Sequence, residues 1–232
     1  MGGRILAIGD VHGCDTALAA LLDQIQPALD DTVVFLGDLI DRGPDSRGVI
    51  DRIINLKRDS AVINILGNHD EWLLESLDRE EPRLTWIAAG GLATLKSYGG
   101  DLKNIPQSHI KFLRAMVEFW QTTSHIFVHA SVDPTLPLEQ QPMDWLRWNA
   151  LTGDEVPHNS GKIVVCGHTS IASGLPAHGK GYVCIDTKAH AGQWLTCLDT
   201  ESNLFWQANQ RGEHRGPLSL ESDGTEWSKA EF

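Results

Sequence analysis

Short apolar segments alternate with amphipathic segments along the N-terminal third of the chain. The apolar segments at 4–8, 32–36 and 61–66 predict three β-strands, and each is followed by a Gly-Asp or Gly-Asn pair. The intervening segments, which begin near Asp15 and Pro44, place leucine, isoleucine and valine at helical spacing. Alternation of strands and helices is typical of parallel strands joined by right-handed crossovers. The pattern therefore predicts an α/β fold, with a ligand site beyond the carboxyl ends of the strands.

The pattern is less regular after residue 80. Residues 80–122 are predicted to be mainly helical, and 124–128 and 162–166 are predicted to be strands. Residues 130–161 contain four prolines and predict a long ordered loop with a short helix near Trp145. The last apolar segments predict an antiparallel group of strands at 182–185, 194–198 and 204–208.

Composition and charge exclude several classes of protein. Hydrophobic residues make up 41% and charged residues 22% of the 232-residue chain, which is enough apolar material for a core and argues against disorder. The formal net charge of −12 disfavours a nucleic-acid partner and an acidic membrane surface. No apolar run is long enough for a membrane-spanning helix. Together with the net charge, this leads us to expect neither a nucleic-acid nor a membrane partner.

The expected organisation is one domain over residues 1–220, followed by a polar, mobile tail over 221–232. The N-terminus lacks a secretory pattern, and the four cysteines show no C-x-x-C spacing. Reduced, buried thiols and a cytoplasmic location are therefore predicted. The sequence leaves the oligomeric state open.

Side chains that bind metals follow the predicted strands. Carboxylate, imidazole and amide groups of this kind suit divalent manganese, iron or zinc. Six such residues are more than one ion needs, so we expect two divalent ions, with Asp38 shared between them. The six residues are Asp10, His12, Asp38, Asn68, His129 and His168.

Three neighbouring residues complete a hydrolytic site in this interpretation. His69 adjoins Asn68 and is placed to protonate a leaving oxygen. Asp41 is expected to hydrogen-bond the other ring nitrogen of His69 and fix its tautomer. Arg42 offers a fork of donors to phosphate oxygens.

The order and spacing of these motifs resemble a known family. Residues 9–13 (GDVHG), 37–43 (GDLIDRG) and 67–70 (GNHD), followed by His129 and by 167–169 (GHT), resemble the motifs of the phosphoprotein phosphatase family of metallophosphoesterases, in its compact bacterial and bacteriophage branch. The resemblance covers about residues 4–200. It implies a calcineurin-like metallophosphoesterase sandwich of two mixed β-sheets flanked by helices.

The resemblance also implies roles for individual residues. The first metal would be held by Asp10, His12 and Asp38. The second would be held by Asp38, Asn68, His129 and His168. Arg147, within Trp145-Leu146-Arg147, would be a second phosphate-binding arginine beside Arg42. Manganese is the expected metal, with iron or zinc as alternatives.

The expected function is that of a metal-dependent serine/threonine protein phosphatase. A hydroxide bound to the two metals would attack the phosphomonoester, His69 would be the general acid, and a phosphorylated protein would be the partner. The alternative is a diadenosine tetraphosphate hydrolase of the same superfamily, because Asp70 stands where many protein phosphatases have Glu. Lys188 replaces a glycine that is usual in the branch; it either adds positive charge at the substrate mouth or points to solvent. His190 is assigned to the surface, and Trp145 and Trp148 are candidates for a pocket wall.

Overall fold

The structure, a computed structural model, describes residues 3–58 and 60–231. Its strands are β1 (Ile5–Ile8), β2 (Thr32–Phe35), β3 (Ala61–Asn64), β4 (Phe119–Gln121), β5 (His125–Val128), β6 (Ile163–Cys166), β7 (Ala177–Gly179), β8 (Tyr182–Cys184), β9 (Leu195–Asp199), β10 (Leu204–Ala208), β11 (His214–Ser219) and β12 (Thr225–Glu226). Its α-helices are α1 (Asp15–Ile25), α2 (Ser46–Leu56), α3 (Asn68–Asp78), α4 (Glu80–Trp86), α5 (Leu92–Ser97), α6 (Gln107–Arg114), α7 (Met143–Arg147) and α8 (Leu220–Asp223).

The first sheet has the strand order β11-β10-β9-β1-β2-β3. Strands β1, β2 and β3 are parallel, as the strand–helix alternation predicted, and β9 joins the other edge of β1 in antiparallel orientation. The helices between the parallel strands bury one face each. In α2, for example, Val49, Ile50 and Ile53 are buried, and the Asp45 side chain accepts a hydrogen bond from Gly48 N at the N-terminus.

The second sheet has the order β12-β7-β8-β6-β5-β4, with β5, β6 and β8 parallel. One core cluster joins side chains of both sheets, including Ala7 and Val34 from the first and Phe127 and Val165 from the second. A separate cluster lies between the first sheet and the helices. The expected sandwich of two mixed sheets flanked by helices is therefore confirmed.

Three local predictions differ from the structure. Residues 119–121 lie in β4, outside the helical region, because they pair with β5 in antiparallel register. The predicted late strand at 182–185 pairs with β6 in the second sheet, so β9 and β10 form their antiparallel pair without it. The segment expected to be a mobile tail contains α8 and β12, and Trp227 is buried, since a tryptophan in a polar segment still gains from burial. The single-domain assignment stays a prediction.

The long loop contains its expected short helix, α7, at Met143–Arg147. Within residues 3–58 and 60–231, no helix is long and apolar enough to cross a membrane.

Candidate metal and phosphate site

The parallel strands of both sheets end at one edge of the sandwich, and each end delivers polar side chains there. The first sheet contributes residues after β1, β2 and β3, and the second contributes residues after β5 and β6. All six predicted metal-binding residues follow these strands: Asp10, His12, Asp38, Asn68, His129 and His168. Five of them are buried, and His168 is largely buried.

Backbone strain is concentrated at the same edge. Five non-glycine residues of the site have a left-handed backbone, with φ of 46° at His12, 47° at Asp38, 72° at Asp41, 64° at Arg42 and 60° at His168. Residues other than glycine adopt this conformation at an energetic cost. Such strain persists where the surrounding structure enforces it, and it is common at functional sites.

Two groups of side chains have the geometry to hold a metal ion, and Asp38 belongs to both. In each group the potential ligand atoms lie within 4.8 Å of one another. The first group is His12, Asp38 and His69, and the second is Asp38, His129 and His168. The structure thus places Asp38 between two potential ion sites, where the sequence predicted a shared ligand.

Hydrogen bonds to carbonyl groups orient the histidine rings. His12 Nδ1 lies 2.8 Å from Ile40 O, and His129 Nδ1 lies 2.8 Å from Leu36 O. Only a protonated Nδ1 can bond a carbonyl oxygen, so the Nε2 lone pair of both neutral rings faces the site. Such bonds fix the tautomer of metal-binding histidines.

The Asn68 amide oxygen faces ring nitrogens of two histidines. Asn68 Oδ1 lies 2.9 Å from His129 Nε2 and 3.2 Å from His168 Nδ1. His168 Nε2 is 3.2 Å from Trp148 O, to which it donates, so His168 Nδ1 is an acceptor as well. Three acceptor atoms that converge in this way are suited to binding a cation. The residues therefore fit a divalent metal.

Burial and charge set the ionisation states that metal binding needs. Burial by itself would raise the pKa of Asp38, but the neighbouring histidines, His129 first, hold that pKa below its ordinary value. Burial lowers the pKa of His129 and lowers that of His168 to about 4. At pH 7 the carboxylate is therefore charged and the imidazoles are neutral, as metal ligands must be.

Asp10 lies next to this group with a different partner. Both of its carboxylate oxygens accept from His168 N at 3.1 Å. Burial, and then the carboxylates of Asp186 and Asp38, raise the pKa of Asp10 well above its ordinary value. A bound cation would relieve this repulsion. Asp186 is a site residue that sequence reasoning missed, and its position two residues after β8 was the available signal.

His69 and Asp41 form the predicted pair. His69 Nδ1 donates to Asp41 Oδ2 at 2.7 Å, and both residues are buried. Asp41 also accepts from Trp86 Nε1 at 2.8 Å and from Thr94 Oγ1 at 2.7 Å. Trp86 and Thr94 were not predicted as site residues, because neither follows a strand nor belongs to a recognisable motif.

Arg42 lies between the two histidines nearest to it. Its Nη1 donates to His12 Nε2 at 2.8 Å, and its Nη2 donates to His69 Nε2 at 2.9 Å. Arg42 N donates to Gly90 O, and a Cβ added at Gly90, where φ is 128°, would lie 2.7 Å from Arg42 Cγ. Gly90 is therefore needed for this approach.

Arg147, the second predicted phosphate-binding arginine, pairs with carboxylates. Its guanidinium forms two hydrogen bonds with the Glu118 carboxylate, from Nε at 3.0 Å and Nη2 at 2.7 Å, and it also pairs with Glu71. No sequence pattern indicated Glu118 as a partner, because 29 positions separate the two residues along the chain. The role of Arg147 in phosphate binding stays a prediction.

Asp70 contacts backbone atoms at the bottom of the site. Its carboxylate accepts from Leu39 N at 3.1 Å and from Gly67 N at 3.2 Å, and it is fully buried. Asp70 therefore joins the loops after β2 and β3. It contributes to the shape of the site without being exposed to a substrate.

His190 lies against the site, which differs from its predicted surface position. Its ring centroid is 4.8 Å from that of His12, and its buried Nδ1 has no hydrogen-bond partner among the described residues. Burial, and then the charges of Arg42 and His69, lower the pKa of His190 to about 4. Lys188 is half-buried, with φ of 59°, and its charge also acts on His190. A lysine at the mouth of the site, the first of the two alternatives above, is consistent with this placement.

Two curated relatives of the chain carry the same name. The chain is 33% identical over 158 residues to a protein of Nitrosospira multiformis named bis(5'-nucleosyl)-tetraphosphatase, symmetrical, covering 65% of this chain and 52% of that protein. It is 31% identical over 140 residues to the protein of the same name from Nitrosomonas europaea, covering 58% and 47%. The chain thus spans about half the length of the curated relatives it matches.

Solved structures share the fold. A protein proposed to be a diadenosine tetraphosphatase matches with a TM-score of 0.66 and 24% identity, covering 85% of this chain and 89% of that one. A cold-active protein-tyrosine phosphatase of a psychrophilic Shewanella species matches with a TM-score of 0.64 and 15% identity, covering 94% and 81%. At these identities the likeness concerns the fold alone.

The expectation of a serine/threonine protein phosphatase, with a phosphorylated protein as its partner, is wrong on this comparison. The curated relatives are named for dinucleoside tetraphosphates, which is the alternative that the sequence had suggested through Asp70. These names do not support the finer assignment to the compact branch of the phosphoprotein phosphatase family. The broader assignment is confirmed, because the model of the calcineurin-like phosphoesterase family matches residues 3–172. The chain belongs to the calcineurin-like phosphoesterase family, whose members use divalent metal ions to hydrolyse phosphate esters.

Proposed function

We propose that this protein hydrolyses a dinucleoside polyphosphate, with diadenosine tetraphosphate as the model substrate. The observation that carries the proposal is its 31–33% identity to two proteins named symmetrical bis(5'-nucleosyl)-tetraphosphatases. The geometry supports it, because two groups of potential metal ligands share Asp38, and His69 of the first group is hydrogen-bonded to Asp41. This set of groups is suited to displacement at phosphorus.

The proposed metal ligands are those expected from the sequence. Asp10, His12 and Asp38 would hold one ion, and Asp38 with Asn68, His129 and His168 would hold the other. Bound divalent ions supply Lewis acidity, which lowers the pKa of water and withdraws charge from phosphate oxygens. Manganese, with iron or zinc as alternatives, is our proposal for their identity.

His69 is the proposed general acid. Its Nδ1–H is held by Asp41, so the second ring nitrogen, Nε2, faces the site and is the atom that exchanges a proton with substrate. A fixed ring also keeps Nε2 at one position, which a positioned proton transfer needs.

Arg42 is the proposed phosphate-binding residue. Its guanidinium donates to both His12 Nε2 and His69 Nε2, which places it between a proposed metal ligand and the proposed acid. It is the exposed member of this group, so a phosphate can reach it from solvent. Two donors in a planar fork can bind two oxygens of one phosphate.

The reaction breaks one phosphorus–oxygen bond in the tetraphosphate chain. The oxygen of water bonds to a phosphorus at the centre of the chain while the bond from that phosphorus to the bridging oxygen breaks. The departing nucleoside diphosphate takes the proton from His69 Nε2, and the proton of the water is released. Cleavage at the centre gives two nucleoside diphosphates.

A product analysis tests the proposal. Protein stripped by a chelator and refilled with Mn²⁺ is incubated with diadenosine tetraphosphate, and the nucleotides are separated by chromatography. We expect adenosine diphosphate as product, and we expect His69→Asn to lower kcat by about 10²- to 10⁴-fold without changing the metal content. The matched control is His125→Asn, a buried histidine of β5 outside the described site, which keeps its activity. Absence of any cleavage by the refilled wild-type protein overturns the proposal.

A further inference from the structure

Two tryptophans continue the row of aromatic rings that begins at His69. The ring of Trp72 lies edge-on to His69 with the centroids 5.2 Å apart. Trp148 lies edge-on to Trp72 with the centroids 4.8 Å apart. Both tryptophans are half-buried, so indole surface remains open to solvent beside the acid. The proposed mechanism uses neither residue.

Both indoles are attached to elements that carry site residues. Trp72 lies three positions after His69 in α3, on the same side of the helix. Trp148 directly follows α7, its N donates to Asp144 O at 2.8 Å, and its carbonyl oxygen accepts from His168 Nε2. The aromatic pair is therefore held in a fixed position relative to the acid and to one proposed metal ligand.

Both indoles are more exposed than a core tryptophan, and Trp72 also packs against the core cluster between the first sheet and the helices. Trp86, for comparison, is fully buried and uses its Nε1 for a hydrogen bond to Asp41. Trp148 belongs to none of the three core clusters of the described residues, and its ring contact is with Trp72. The Trp72–Trp148 pair is therefore a partly exposed edge-to-face contact beside a polar site.

The charge around the pair favours a neutral ligand. Glu71 precedes Trp72 in the chain, and it shares Arg147 with Glu118. One guanidinium facing two carboxylates leaves a net negative charge on this side of the site. A phosphate would be repelled there, whereas an uncharged aromatic ring would not.

We propose that Trp72 and Trp148 bind a nucleobase of the substrate by stacking, an inference that rests on the proposed function. The proposed chemistry explains why a base would lie here. His69 protonates the leaving oxygen, so the leaving group lies on the His69 side of the scissile phosphate. That group is a nucleoside diphosphate, whose base extends beyond the acid. Stacking of a base on an aromatic side chain strengthens binding by about 10-fold or more.

The test compares a substrate that has bases with one that has none. Trp72→Leu and Trp148→Leu are assayed with diadenosine tetraphosphate and with inorganic tetraphosphate, in protein loaded with Mn²⁺. We expect kcat/KM for the dinucleotide to fall about 10-fold more than kcat/KM for inorganic tetraphosphate, which has no base to stack. Trp72→Phe, which keeps an aromatic face, restores most of the affinity. Trp120→Leu, at a half-buried tryptophan of β4, is the matched control and leaves both substrates unaffected.

A binding measurement separates this inference from the proposed function. Adenosine diphosphate is titrated into each protein while tryptophan fluorescence is recorded. Quenching in the wild-type protein and in Trp120→Leu, with about 10-fold weaker binding in Trp72→Leu and Trp148→Leu, supports the stacking site even if no hydrolysis is found. Unchanged adenosine diphosphate affinity in both variants overturns it. An equal loss of activity on diadenosine tetraphosphate and on inorganic tetraphosphate also overturns it, because that result would indicate a structural role. Failure of the wild-type protein to cleave diadenosine tetraphosphate overturns only the proposed function.

Discussion

The His69 ring and the Asp41 carboxylate are joined by a hydrogen bond of 2.7 Å, and Asp41 is itself held by two further donors. Trp86 Nε1 and Thr94 Oγ1 both bond the Asp41 carboxylate, and both come from the helical segment after α3. Burial raises the pKa of Asp41, while the hydrogen bonds from His69 and Thr94 oppose that rise. The orientation of the proposed acid therefore depends on residues that do not reach the substrate.

Trp86→Phe tests this dependence. The substitution keeps the buried ring but removes the Nε1 donor, and a hydrogen bond to a charged group is worth about 1.5–3 kcal/mol. We expect kcat to fall about 10-fold with little change in KM, since only part of that energy is realised in the transition state. The pKa of Asp41 rises when a donor is lost, so the acidic limb of the kcat–pH profile moves to higher pH. A lower melting temperature with an unchanged profile would assign Trp86 a purely structural role.

Asp38→Asn tests the shared ligand. Asparagine keeps an oxygen for the hydrogen bond from His69 N but lacks the charge that two cations need. We expect two equivalents of Mn²⁺ in the wild-type protein and less than one in the variant, measured by elemental analysis after dialysis. Bound metal raises the melting temperature of the wild-type protein, and this increase disappears in the variant. Asp30→Asn, at an exposed position, serves as the control. Equal metal content in Asp38→Asn and wild type is incompatible with a shared ligand.

Arg147→Met distinguishes two roles for the second arginine. In the structure Arg147 neutralises Glu71 and Glu118, and its side chain is 8% exposed. If this ion pairing is its main role, the free energy of unfolding falls by about 1–3 kcal/mol, because two partly buried carboxylates lose their partner. In that case KM for the dinucleotide changes less than threefold. A large rise in KM at unchanged stability would instead support the phosphate-binding role implied by the resemblance.

Asp31 makes stability depend on pH. Its carboxylate accepts from Arg4 N and Nε and from Ala28 N, and it is 3% exposed. Burial would raise the pKa of Asp31, but these bonds, the Arg4 side chain first, hold it below its ordinary value. The stabilisation is therefore complete above the unfolded-state pKa of ~3.9 and is lost as the pH falls through the lower folded-state pKa.

Asp31→Asn is expected to lower the free energy of unfolding by about 1–3 kcal/mol at pH 7 and to reduce its dependence on pH below about 4. Urea unfolding at pH 7 and at pH 3–4 measures both effects. Asp30→Asn, at the exposed neighbouring position, keeps the wild-type dependence of the free energy of unfolding on pH. If Asp31→Asn also keeps the wild-type pH dependence of the free energy of unfolding, another carboxylate is responsible for that dependence.

The part of the site that follows strand ends was predictable from the sequence. Gly-Asp and Gly-Asn pairs after β1, β2 and β3 identify the positions, and parallel strands bring their carboxyl ends to one edge. The relation of Asp38 to both ion sites followed from the number of ligands and its place among them. The structure adds the hydrogen bonds that fix each ring.

Other parts depend on contacts that no local pattern reveals. Trp86 reaches Asp41 from a helix with an ordinary amphipathic sequence, and Glu118 binds Arg147 across a large separation in the chain. The motif alone therefore suggested a phosphate ligand at Arg147. Asp70 suggested the alternative substrate from the sequence, and the structure shows this residue to be fully buried. The substrate class was misjudged because the expectation rested on motifs that carry the metal and phosphate chemistry.

The most direct test of the central claim is the ratio of kcat/KM for diadenosine tetraphosphate to that for a phosphothreonine peptide. Both are measured with the same preparation of the full chain, stripped of metal and refilled with Mn²⁺. We predict a ratio far above one, with adenosine diphosphate as the nucleotide product and with loss of both activities in His69→Asn. A peptide that is hydrolysed faster than the dinucleotide would contradict the account.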